Sequence, residues 1–563
     1  MSRNKAWAAA IGALLVAASC GSSAKKPSAS PATTAGPGTT ASGPTGTTAP
    51  AAPNGVVTIS NAQGQTWTCG FNPFNPAVNT VSMGFVYEPL VYVNALKNSA
   101  ETPMLASSYQ WSTDKKTLTF TIRDGVKWSD GQPLTGDDVA FTFNLMKAKP
   151  ALDLNSLWSA GLTSVTASGN QVVMSFTTPA QPYFYYIADQ TGIVPQHIWS
   201  TGDAAKDPVQ YQDADPIGSG PFVVKPCTAN LITYVANTTY WQPGLPKIAK
   251  VQYPAYTDNG PANLDLANDT ATWGSQFIPG VQKFYVDKDP TNHHIWFPPV
   301  TNVDLFFNLK HAATGKLAVR QAFAYGIDRA SVSKIGESGY QPAANQTGIV
   351  LPTYQGWYDS TATGQYGLDT QKAGQLLASA GYSPSHPLKL TVITISGYTD
   401  WDASLAEIKQ ELKPIGIDLS VNDLAQTTYN DMLFKGNFDL AYGAETGGPA
   451  PYYELRQLLY GANSAPLGQN ASTNYERFGD PAIDALFDQY ASADDAGQHT
   501  IIKQIEQTML TTVPVVPTTE SVDWYEYNTK HLSGWPTPDN PYAQPAAFNV
   551  PDVEQVLLHL QYN

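Results

Sequence analysis

The sequence predicts an α/β protein, and two kinds of pattern lead to that prediction. Short runs that alternate apolar and polar residues, such as residues 118–122, are typical of half-buried strands. Longer stretches with apolar residues three and four positions apart, such as residues 401–412, are typical of amphipathic helices. The two kinds of segment alternate from Val56 onward, which is the order found in α/β folds.

Individual helices are predicted from their start and stop signals. Thr135 followed by Asp138 predicts a helix N-cap, because the Thr hydroxyl and the carboxylate can bind the first free N–H groups. Gly381 is placed to end the helix before it. Beyond the helix after Thr135, helices are predicted over residues 317–327, 371–380, 401–412 and 498–510, and a strand is predicted after Leu412.

Length and charge narrow the classes of function. The chain has 563 residues, enough for two or three domain-sized units. Its formal charge is 31 − 46 = −15 and it has no run of Lys or Arg, so no nucleic-acid partner is expected. The 13 Trp, 30 Tyr and 20 Phe make the chain rich in aromatic residues. Some of them must lie in the core, but so many in a weakly charged protein also favour stacking surfaces in a binding cleft.

The N-terminus predicts export. Arg3 and Lys5 precede an uncharged apolar stretch over residues 8–18, which is typical of a signal peptide and too short to span a membrane. Ala17-Ala18-Ser19-Cys20 resembles the bacterial lipobox, which predicts a signal peptide over residues 1–19 and lipidation of Cys20. Ala17 stands where Leu is usual, so an ordinary secretory signal cut near Ala18 is the alternative.

The segment after Cys20 predicts a tether. Residues 20–54 are mostly Gly, Ser, Thr, Ala and Pro, a composition that buries too little apolar surface to fold. No later apolar run is long enough to cross a bilayer. We therefore expect an extracytoplasmic protein held at the membrane of a bacterial cell envelope by a lipid anchor.

Two cysteines remain after Cys20. In an oxidising compartment Cys69 and Cys227 predict a disulfide, with two buried thiols as the alternative. Neither has a Cys or His neighbour at zinc spacing, so no metal site is predicted for them.

Several blocks, in order along residues 55–563, resemble bacterial extracellular solute-binding proteins of family 5, the oligopeptide, dipeptide and nickel type. The longest is residues 111–139, which contains Arg-Asp-Gly-Val-Lys-Trp-Ser-Asp-Gly-Gln-Pro-Leu-Thr-Gly-Asp-Asp-Val. The other blocks are Tyr87-Glu88-Pro89-Leu90, Ile193-Val-Pro-Gln-His-Ile-Trp199, Ile217-Gly-Ser-Gly-Pro-Phe222, Tyr240-Trp241, Val319-Arg-Gln-Ala-Phe-Ala-Tyr-Gly-Ile-Asp-Arg329, Ile415-Gly-Ile417 and Gly436-Asn-Phe-Asp439.

The resemblance implies two α/β lobes in the manner of periplasmic binding proteins, with a ligand cleft between them and an extra domain inserted in the N-terminal half. By analogy, lobe I combines residues 55–80, 190–302 and 522–563, the inserted domain is 81–189, and lobe II is 303–521. The implied function is the substrate-binding component of an ABC importer, a monomer without cofactor that closes on an extended solute and delivers it to permease subunits.

The resemblance leaves the ligand open. Peptide-binding members place an Asp after the strand that follows Gly436-Asn-Phe-Asp439, where it pairs with the peptide ammonium group. Here Gly447 or Gly448 stands at that position, although Glu445 and Glu454 are close enough in sequence to substitute. An oligopeptide therefore stays the alternative ligand. Nickel is less favoured, since no His or carboxylate ligands cluster in the sequence.

Other segments resemble members that bind short oligosaccharides. Sugar rings lie flat on Trp or Tyr, and polar side chains hydrogen-bond the hydroxyl groups. For each aromatic residue, packing in the core of a lobe is the alternative. The predicted ligand-binding residues are Trp401, Asp400, Tyr452, Tyr453, Glu445, Asn474, Arg477, Trp524, Trp67 and Trp273.

Two other classes of protein compete with the transport interpretation. An enzyme is not predicted, because Gly-x-Ser-x-Gly, phosphate-binding Gly-rich and His-Glu-x-x-His motifs do not occur. His293 and His294 are adjacent and so do not readily converge on one metal. A structural lipoprotein is the other alternative, and its cleft would be filled by its own side chains.

Overall fold

The computed structural model describes residues 52–62, 64, 66–351, 353–362 and 365–563, all within the unit Pro50–Asn563. The predicted signal peptide, Cys20 and the tether up to residue 51 lie outside the described residues. In the part of the chain that is described, no helix is both long and apolar enough to cross a membrane.

The strands fall into two large sheets and several smaller ones. In chain order they are β1 (Asn54–Ser60), β2 (Val91–Asn94), β3 (Ala100–Pro103), β4 (Ala106–Trp111), β5 (Thr117–Ile122), β6 (Leu162–Ser168), β7 (Gln171–Phe176), β8 (Phe222–Thr228), β9 (Leu231–Ala236), β10 (Ile248–Pro254), β11 (Trp273–Gly274), β12 (His293–Ile295), β13 (Pro299–Phe307), β14 (Leu388–Ile395), β15 (Ile417–Leu424), β16 (Leu440–Ala444), β17 (Val515–Val522), β18 (Glu526–Asn528), β19 (Leu532–Ser533) and β20 (Gln561–Tyr562).

The α-helices cover the faces of these sheets. In chain order they are α1 (Gly136–Ala148), α2 (Phe184–Ala188), α3 (Gln196–Trp199), α4 (Gly202–Lys206), α5 (Asn259–Ala267), α6 (Val281–Phe284), α7 (Leu317–Gly326), α8 (Arg329–Ile335), α9 (Thr370–Ser379), α10 (Thr399–Leu412), α11 (Gln426–Lys435), α12 (Pro451–Leu459), α13 (Pro481–Tyr490), α14 (Asp495–Thr512) and α15 (Asp552–His559).

Lobe I is built on a seven-stranded mixed sheet with the order β12-β18-β11-β1-β10-β9-β8. β1 runs parallel to β10 and β11, so the ends of β1 and β11 lie at the same edge of the sheet. The strand pairs at the two sides of the sheet are antiparallel. Strands from both ends of the chain meet here, because β1 and β18 both pair with β11.

The inserted region carries its own four-stranded antiparallel sheet, β4-β5-β7-β6. α1 packs on this sheet through Val139 and Phe143, which are buried against the inward side chains of β5 and β7. The predicted capping box is confirmed. The Thr135 side chain accepts from the first turn, and the Asp138 carboxylate accepts from the Thr135 N–H at 2.9 Å.

Lobe II is built on a five-stranded mixed sheet with the order β15-β14-β16-β13-β17. β14 runs parallel to β15 and β16, and β13 runs antiparallel to β16 and β17. One face packs against α7, α9 and α10 through residues such as Leu305, Phe323 and Leu405. The opposite face carries Phe306 and Ile393 and packs against α11, α12 and α14.

The chain passes between the two large sheets twice, from β12 to β13 and from β17 to β18. The two crossing segments are hydrogen-bonded to each other. The Trp296 N–H donates to the Tyr525 carbonyl at 3.0 Å, and the Asp523 N–H donates to the Pro298 carbonyl at 2.9 Å. This is the hinge arrangement of a two-lobed binding protein, in which short paired segments connect rigid bodies. The predicted domain boundaries stay a proposal. β13, the first strand of the lobe II sheet, begins at Pro299, whereas the predicted lobe II begins at residue 303.

Most elements predicted from local patterns form where expected. The helices predicted over 317–327, 371–380 and 401–412 occur as α7, α9 and α10, each within two residues at either end. The helix predicted over 498–510 is longer, because Asp494 caps it by accepting from the Gly497 N–H and extends it to Asp495–Thr512. The strand predicted after Leu412 is β15.

The sulfur atoms of Cys69 and Cys227 lie 2.02 Å apart, which is the disulfide pairing that the sequence predicts. The bond joins the segment after β1 to the edge strand β8 and closes a loop with a sequence separation of 158 residues. A cross-link over so long a loop removes much conformational freedom from the unfolded chain.

We predict that Cys69→Ser with Cys227→Ser lowers the free energy of unfolding of lobe I by about 2–4 kcal/mol. The measurement is urea unfolding followed by tryptophan fluorescence. Dithiothreitol should lower the wild-type midpoint to that of the variant and leave the variant unchanged. Equal midpoints for the oxidised wild type and the double variant would show that the bond does not stabilise the fold.

A buried carboxyl pair lies where lobe I, the inserted region and α15 meet. Glu88 Oε1 accepts from the Tyr240 hydroxyl and from Trp241 Nε1, both at 2.8 Å. The Glu554 carboxyl is buried next to it and hydrogen-bonds to Glu88. Burial, and then the neighbouring Glu88 charge, raise the pKa of Glu554 well above its usual value. Burial also raises the pKa of Glu88, so the pair shares a proton rather than carrying two charges.

We predict that Glu554→Gln makes stability less dependent on pH. A carboxyl whose folded-state pKa is raised contributes stability fully below its unfolded pKa of about 4.3 and loses it as the pH rises through the folded pKa. Each such proton makes the free energy of unfolding fall by up to about 1.4 kcal/mol per pH unit. Gln keeps a hydrogen-bond donor but has no titratable proton. The free energy of unfolding of the variant should therefore change less with pH.

The measurement is urea unfolding at pH 5, 6.5 and 8. Glu101→Gln is the matched control, because Glu101 is an exposed carboxylate that hydrogen-bonds only to the Tyr109 hydroxyl among the contacts described. The free energy of unfolding of this control should change with pH as that of the wild type does. The same pH dependence for Glu554→Gln as well would contradict the shared-proton assignment.

Candidate functional site

The candidate site lies where the carboxyl ends of parallel strands from both lobes meet. β1 is followed by Asn61, β14 is followed by Ser396, and β16 is followed by Glu445. Ligands of open α/β sheets bind outside this edge. We use the term interlobe cleft for the region bounded by Asn61, Trp67 and Tyr253 of lobe I and by Tyr398, Trp401 and Glu445 of lobe II.

The two lobes touch at the cleft in this structure. Asn259 Nδ2 lies 3.5 Å from the Thr399 hydroxyl on the opposite lobe. A Cβ at Gly397 would lie 2.8 Å from the Thr257 carbonyl oxygen, so a side chain there would force the lobes apart. Gly397 also has φ +94°, a conformation that favours glycine. The glycine at position 397 therefore permits the two lobes to approach each other closely at this point.

The lobe I wall is an ordered aromatic pair. Trp67 Nε1 donates to the Tyr253 carbonyl at 2.8 Å, and the two rings meet edge to face at 5.0 Å. Asn61 Nδ2 donates to the Tyr253 hydroxyl at 2.9 Å. Burial, and then the neighbouring Tyr398, raise the pKa of Tyr253, so its hydroxyl stays protonated. Both aromatic residues are therefore held in one orientation.

The lobe II wall is also aromatic. Trp401 is half-buried in the first turn of α10, with its ring edge to face against Tyr398 at 5.0 Å and Tyr442 at 5.8 Å. Burial, and then the nearby Asp400, raise the pKa of Tyr398 to about 12, so it stays a hydroxyl donor. The effect of Tyr398 on the pKa of Tyr253 indicates that the two walls lie near each other.

Glu445 is a buried carboxyl directly after the end of β16. Its Oε1 has no hydrogen-bond partner among the described residues. Burial, and then the nearby Glu454, raise its pKa to about 8, so the group is mostly protonated at neutral pH. Glu454 has a structural task instead, because its Oε1 accepts from the Asn302 N–H at 3.0 Å and from Asn302 Nδ2 at 2.9 Å.

Asp400 does not stand free beside Trp401. It is buried close to Glu337, and burial raises the pKa of Asp400 to about 7. Glu337 in turn accepts at 2.7 Å from the hydroxyl of Ser404, which lies in α10 together with Asp400. The sequence predicts that Asp400 is a polar partner for a ligand. The structure instead places Asp400 beside Glu337, a pairing that the sequence does not indicate.

Four predicted site residues contact other groups of the protein, and the structure favours a packing or loop-forming role for them. Tyr452 stacks on Tyr490 at 4.3 Å inside lobe II. Trp273 is fully buried and donates to the Pro545 carbonyl at 2.9 Å. Asn474 and Arg477, with φ of 51° and 65°, hold their own loop, because their side chains donate to backbone carbonyls.

Trp524 and Tyr453 also pack against protein groups. Trp524 makes edge contacts with Phe277 at 5.3 Å and Phe297 at 5.0 Å beside the hinge. Tyr453 joins lobe II to the inserted region, since its hydroxyl donates to the Pro182 carbonyl at 2.9 Å and its ring meets Tyr185 at 5.0 Å. For these residues the structure favours the packing role that the sequence left open.

Next to Tyr453 lies a buried cation that the sequence analysis missed. The Arg456 guanidinium is 4.6 Å from the Tyr460 ring centre, 5.4 Å from Tyr183 and 5.9 Å from Tyr186. Tyr183 and Tyr186 belong to the inserted region, so this aromatic cage also spans two parts of the fold. The helical spacing of Tyr453, Arg456 and Tyr460 is the signal that was available in the sequence.

The family is established by comparison with known sequences. Residues 101–466 match the model of the bacterial extracellular solute-binding proteins, family 5 Middle, which is more than half of the chain. The fold and the cleft define a two-lobed binding protein, and the chain belongs to solute-binding protein family 5. Members of this family are transport components rather than enzymes.

Individual relatives are distant. The chain is 26% identical to the nickel-binding periplasmic protein of Escherichia coli K12 over 71% of this chain and 76% of that protein. It is 25% identical to the periplasmic murein peptide-binding protein MppA of the same organism over 76% and 80%. In the described residues, no group of three or more His, Cys, Asp or Glu is arranged to hold a metal ion.

Solved structures share the fold. A mannohexaose-bound periplasmic oligopeptide-binding protein of Thermotoga maritima superposes with a TM-score of 0.84 at 24% identity, covering 91% of this chain and 99% of that one. The oligopeptide-binding protein AppA of Bacillus subtilis, bound to a nonapeptide, has a TM-score of 0.77 at 20% identity, covering 91% and 100%.

We predict that Tyr453→Ala loosens the contact between lobe II and the inserted region. It removes a hydrogen bond and a buried ring, a loss of about 3–5 kcal/mol for a large aromatic. Hydrogen–deuterium exchange should rise in residues 181–188 as well as in α12. Tyr490→Ala, which removes a ring packed within lobe II, is the control and should leave residues 181–188 protected. Equal exchange in both variants would contradict the bridging role.

Proposed function

We propose that the chain is the extracytoplasmic substrate-binding component of an ABC importer, and that its solute is a short oligosaccharide bound in the interlobe cleft. The observation that carries the proposal is the pair of ordered aromatic walls, Trp67 with Tyr253 and Tyr398 with Trp401, on opposite sides of the hinge. Aromatic faces bind the C–H faces of pyranose rings, and neighbouring hydroxyl and carboxyl groups bind the ring hydroxyls.

The charge of the cleft supports an uncharged ligand. Glu445 is protonated at neutral pH, and Tyr253 and Tyr398 keep their hydroxyl protons, so each can donate and accept hydrogen bonds as a sugar hydroxyl requires. The position at which peptide-binding members carry Asp is Gly447 or Gly448 here. A Cβ at Gly447 would lie 2.6 Å from the Val300 carbonyl oxygen, so a side chain is excluded there.

Capture follows from the hinge. With the lobes apart, Trp67 and Trp401 would each be open to solvent, and a sugar could stack on one wall. Closure would then bring the second wall over the ligand and exclude water, which strengthens the hydrogen bonds to Glu445 and Tyr398. Lipidation of Cys20 would hold the protein near the permease subunits to which it delivers the solute.

An oligopeptide is the second candidate, and one observation favours it. The unpaired Oε1 of Glu445 is a buried acceptor that an ammonium group could neutralise. Three of the relatives described above are peptide-binding proteins by name, although one of them was solved with mannohexaose bound. The two candidates differ in the charge state they require of Glu445, and that difference is testable.

We predict saturable binding of cello- or manno-oligosaccharides by isothermal titration calorimetry and little heat from tri- to pentapeptides. A bound ligand at a hundred times its dissociation constant also stabilises the fold by about 2.7 kcal/mol, which a thermal-shift assay detects. Trp401→Ala should weaken sugar binding about tenfold, because a lost stacking contact costs about 1.4 kcal/mol. Trp111→Ala, a half-buried Trp in the inserted region, is the matched control and should bind normally.

Glu445→Gln separates the two candidates. The amide keeps the donor and acceptor of the protonated carboxyl, so sugar affinity should change by less than about threefold, or about 0.6 kcal/mol. Peptide affinity, in contrast, would need both the ionised carboxylate and the peptide ammonium group, so it would be highest near pH 8, fall on either side and be lost in the variant. Binding of peptides with that pH profile would overturn the oligosaccharide proposal and keep the transport function.

A further inference from the structure

A second concave site lies on the flank of the molecule, away from the interlobe cleft. We call it the flank cavity, and it has a volume of about 550 Å³. It is bounded by the end of β3 with Met104, by Arg123 directly after β5, by residues 241–247 of lobe I, and by α15. Sites for small molecules have volumes of about 300–1,000 Å³.

The floor of the flank cavity is apolar. Met104 and Leu558 are buried at its base, and Leu245 and Trp241 are half-buried along its side. Gln555 is fixed beneath them, because its Nε2 donates to the Met104 sulfur at 3.5 Å. This surface is large enough for a ring or a short hydrocarbon chain to pack on.

The rim of the flank cavity is cationic. The Arg123 guanidinium stacks over Trp241 at 4.5 Å, and its Nε donates to the Met104 carbonyl at 3.0 Å, so the charge is held in place. Lys247 is exposed on the opposite wall, where its Nζ donates to Gln561 Oε1 at 3.0 Å. Among the described residues, neither cation forms an ion pair with a carboxylate.

The positive charge of the flank cavity is unusual for this chain. The whole sequence has a formal charge of −15, yet none of the described residues that line the flank cavity is acidic. Two unpaired cations beside an apolar floor match a molecule with one anionic group and one apolar body. A sugar or a zwitterionic peptide would satisfy neither the floor nor the net positive charge.

We propose that the flank cavity is a second ligand site, which binds an amphipathic organic anion whose carboxylate or sulfonate lies between Arg123 and Lys247. Its apolar body packs on Met104, Leu245 and Leu558. The site is independent of the interlobe cleft, since no residue that bounds the cleft also lines the flank cavity. The inference therefore stands whether the transported solute is a sugar or a peptide.

The test uses 8-anilinonaphthalene-1-sulfonate, an aromatic sulfonate that becomes fluorescent on apolar surfaces. The full chain should bind it saturably. Lys247→Glu should weaken that binding at least tenfold, and so should Leu245→Glu. Lys250→Glu, the same charge change three residues further along the chain in β10, should stay within twofold of the wild type. Trp401→Ala should also stay within twofold. Circular dichroism and the thermal midpoint confirm that each variant is folded.

Displacement of the dye then tests the chemistry of the ligand. Octanoate should displace the dye, whereas octanol at the same concentration should not, because it has no charge for Arg123 and Lys247. Absence of saturable binding to the wild type, or unchanged binding in folded Lys247→Glu, would overturn the proposal. So would equal displacement by octanol, or loss of the dye in Trp401→Ala alone, which would place it in the interlobe cleft.

Discussion

The structure depends on one topological constraint, which is that two short segments carry the chain between the lobes. Trp296–Pro298 and Asp523–Tyr525 are hydrogen-bonded side by side, so the lobes can rotate about them without unfolding. Asp523 is buried at this point and accepts from Asn549 Nδ2 at 2.8 Å. Burial raises the pKa of Asp523 to about 8, so the hinge carries little charge at neutral pH. The cleft exists because the strand ends of both lobes face each other across this hinge.

The aromatic residues predicted to bind ligand fall into two groups by their place in the fold. Tyr452, Trp273 and Trp524 fill interfaces within or beside a lobe. Trp67 and Trp401 follow β1 and β14 at the carboxyl ends of the strands, although Trp67 is itself buried. All five belong to residue types that bind sugars, so their sequence context alone leaves both roles open. An aromatic ring can bind a sugar only where one of its faces is not covered by other protein groups.

Local features of the fold were predictable because they depend on neighbouring residues. The capping box at Thr135, the helix α10 and the strand β15 follow from residues within one or two turns of each other. Long-range features were not predictable in this way. The acidic pair of Asp400 with Glu337 and the tyrosine cage around Arg456 depend on segments far apart in the chain. The same holds for Asn474 and Arg477, whose side chains donate to the carbonyls of Tyr460 and Phe434 from a separate loop.

A crystal structure of the chain grown with the oligosaccharide that binds it most tightly would show directly whether the solute lies in the interlobe cleft. We expect sugar rings against Trp67 and Trp401, a hydrogen bond from a ring hydroxyl to Glu445, and lobes closed about the two crossing segments. Sugar bound outside the interlobe cleft, or a cleft that stays filled by its own side chains with no ligand between the walls, would contradict this expectation.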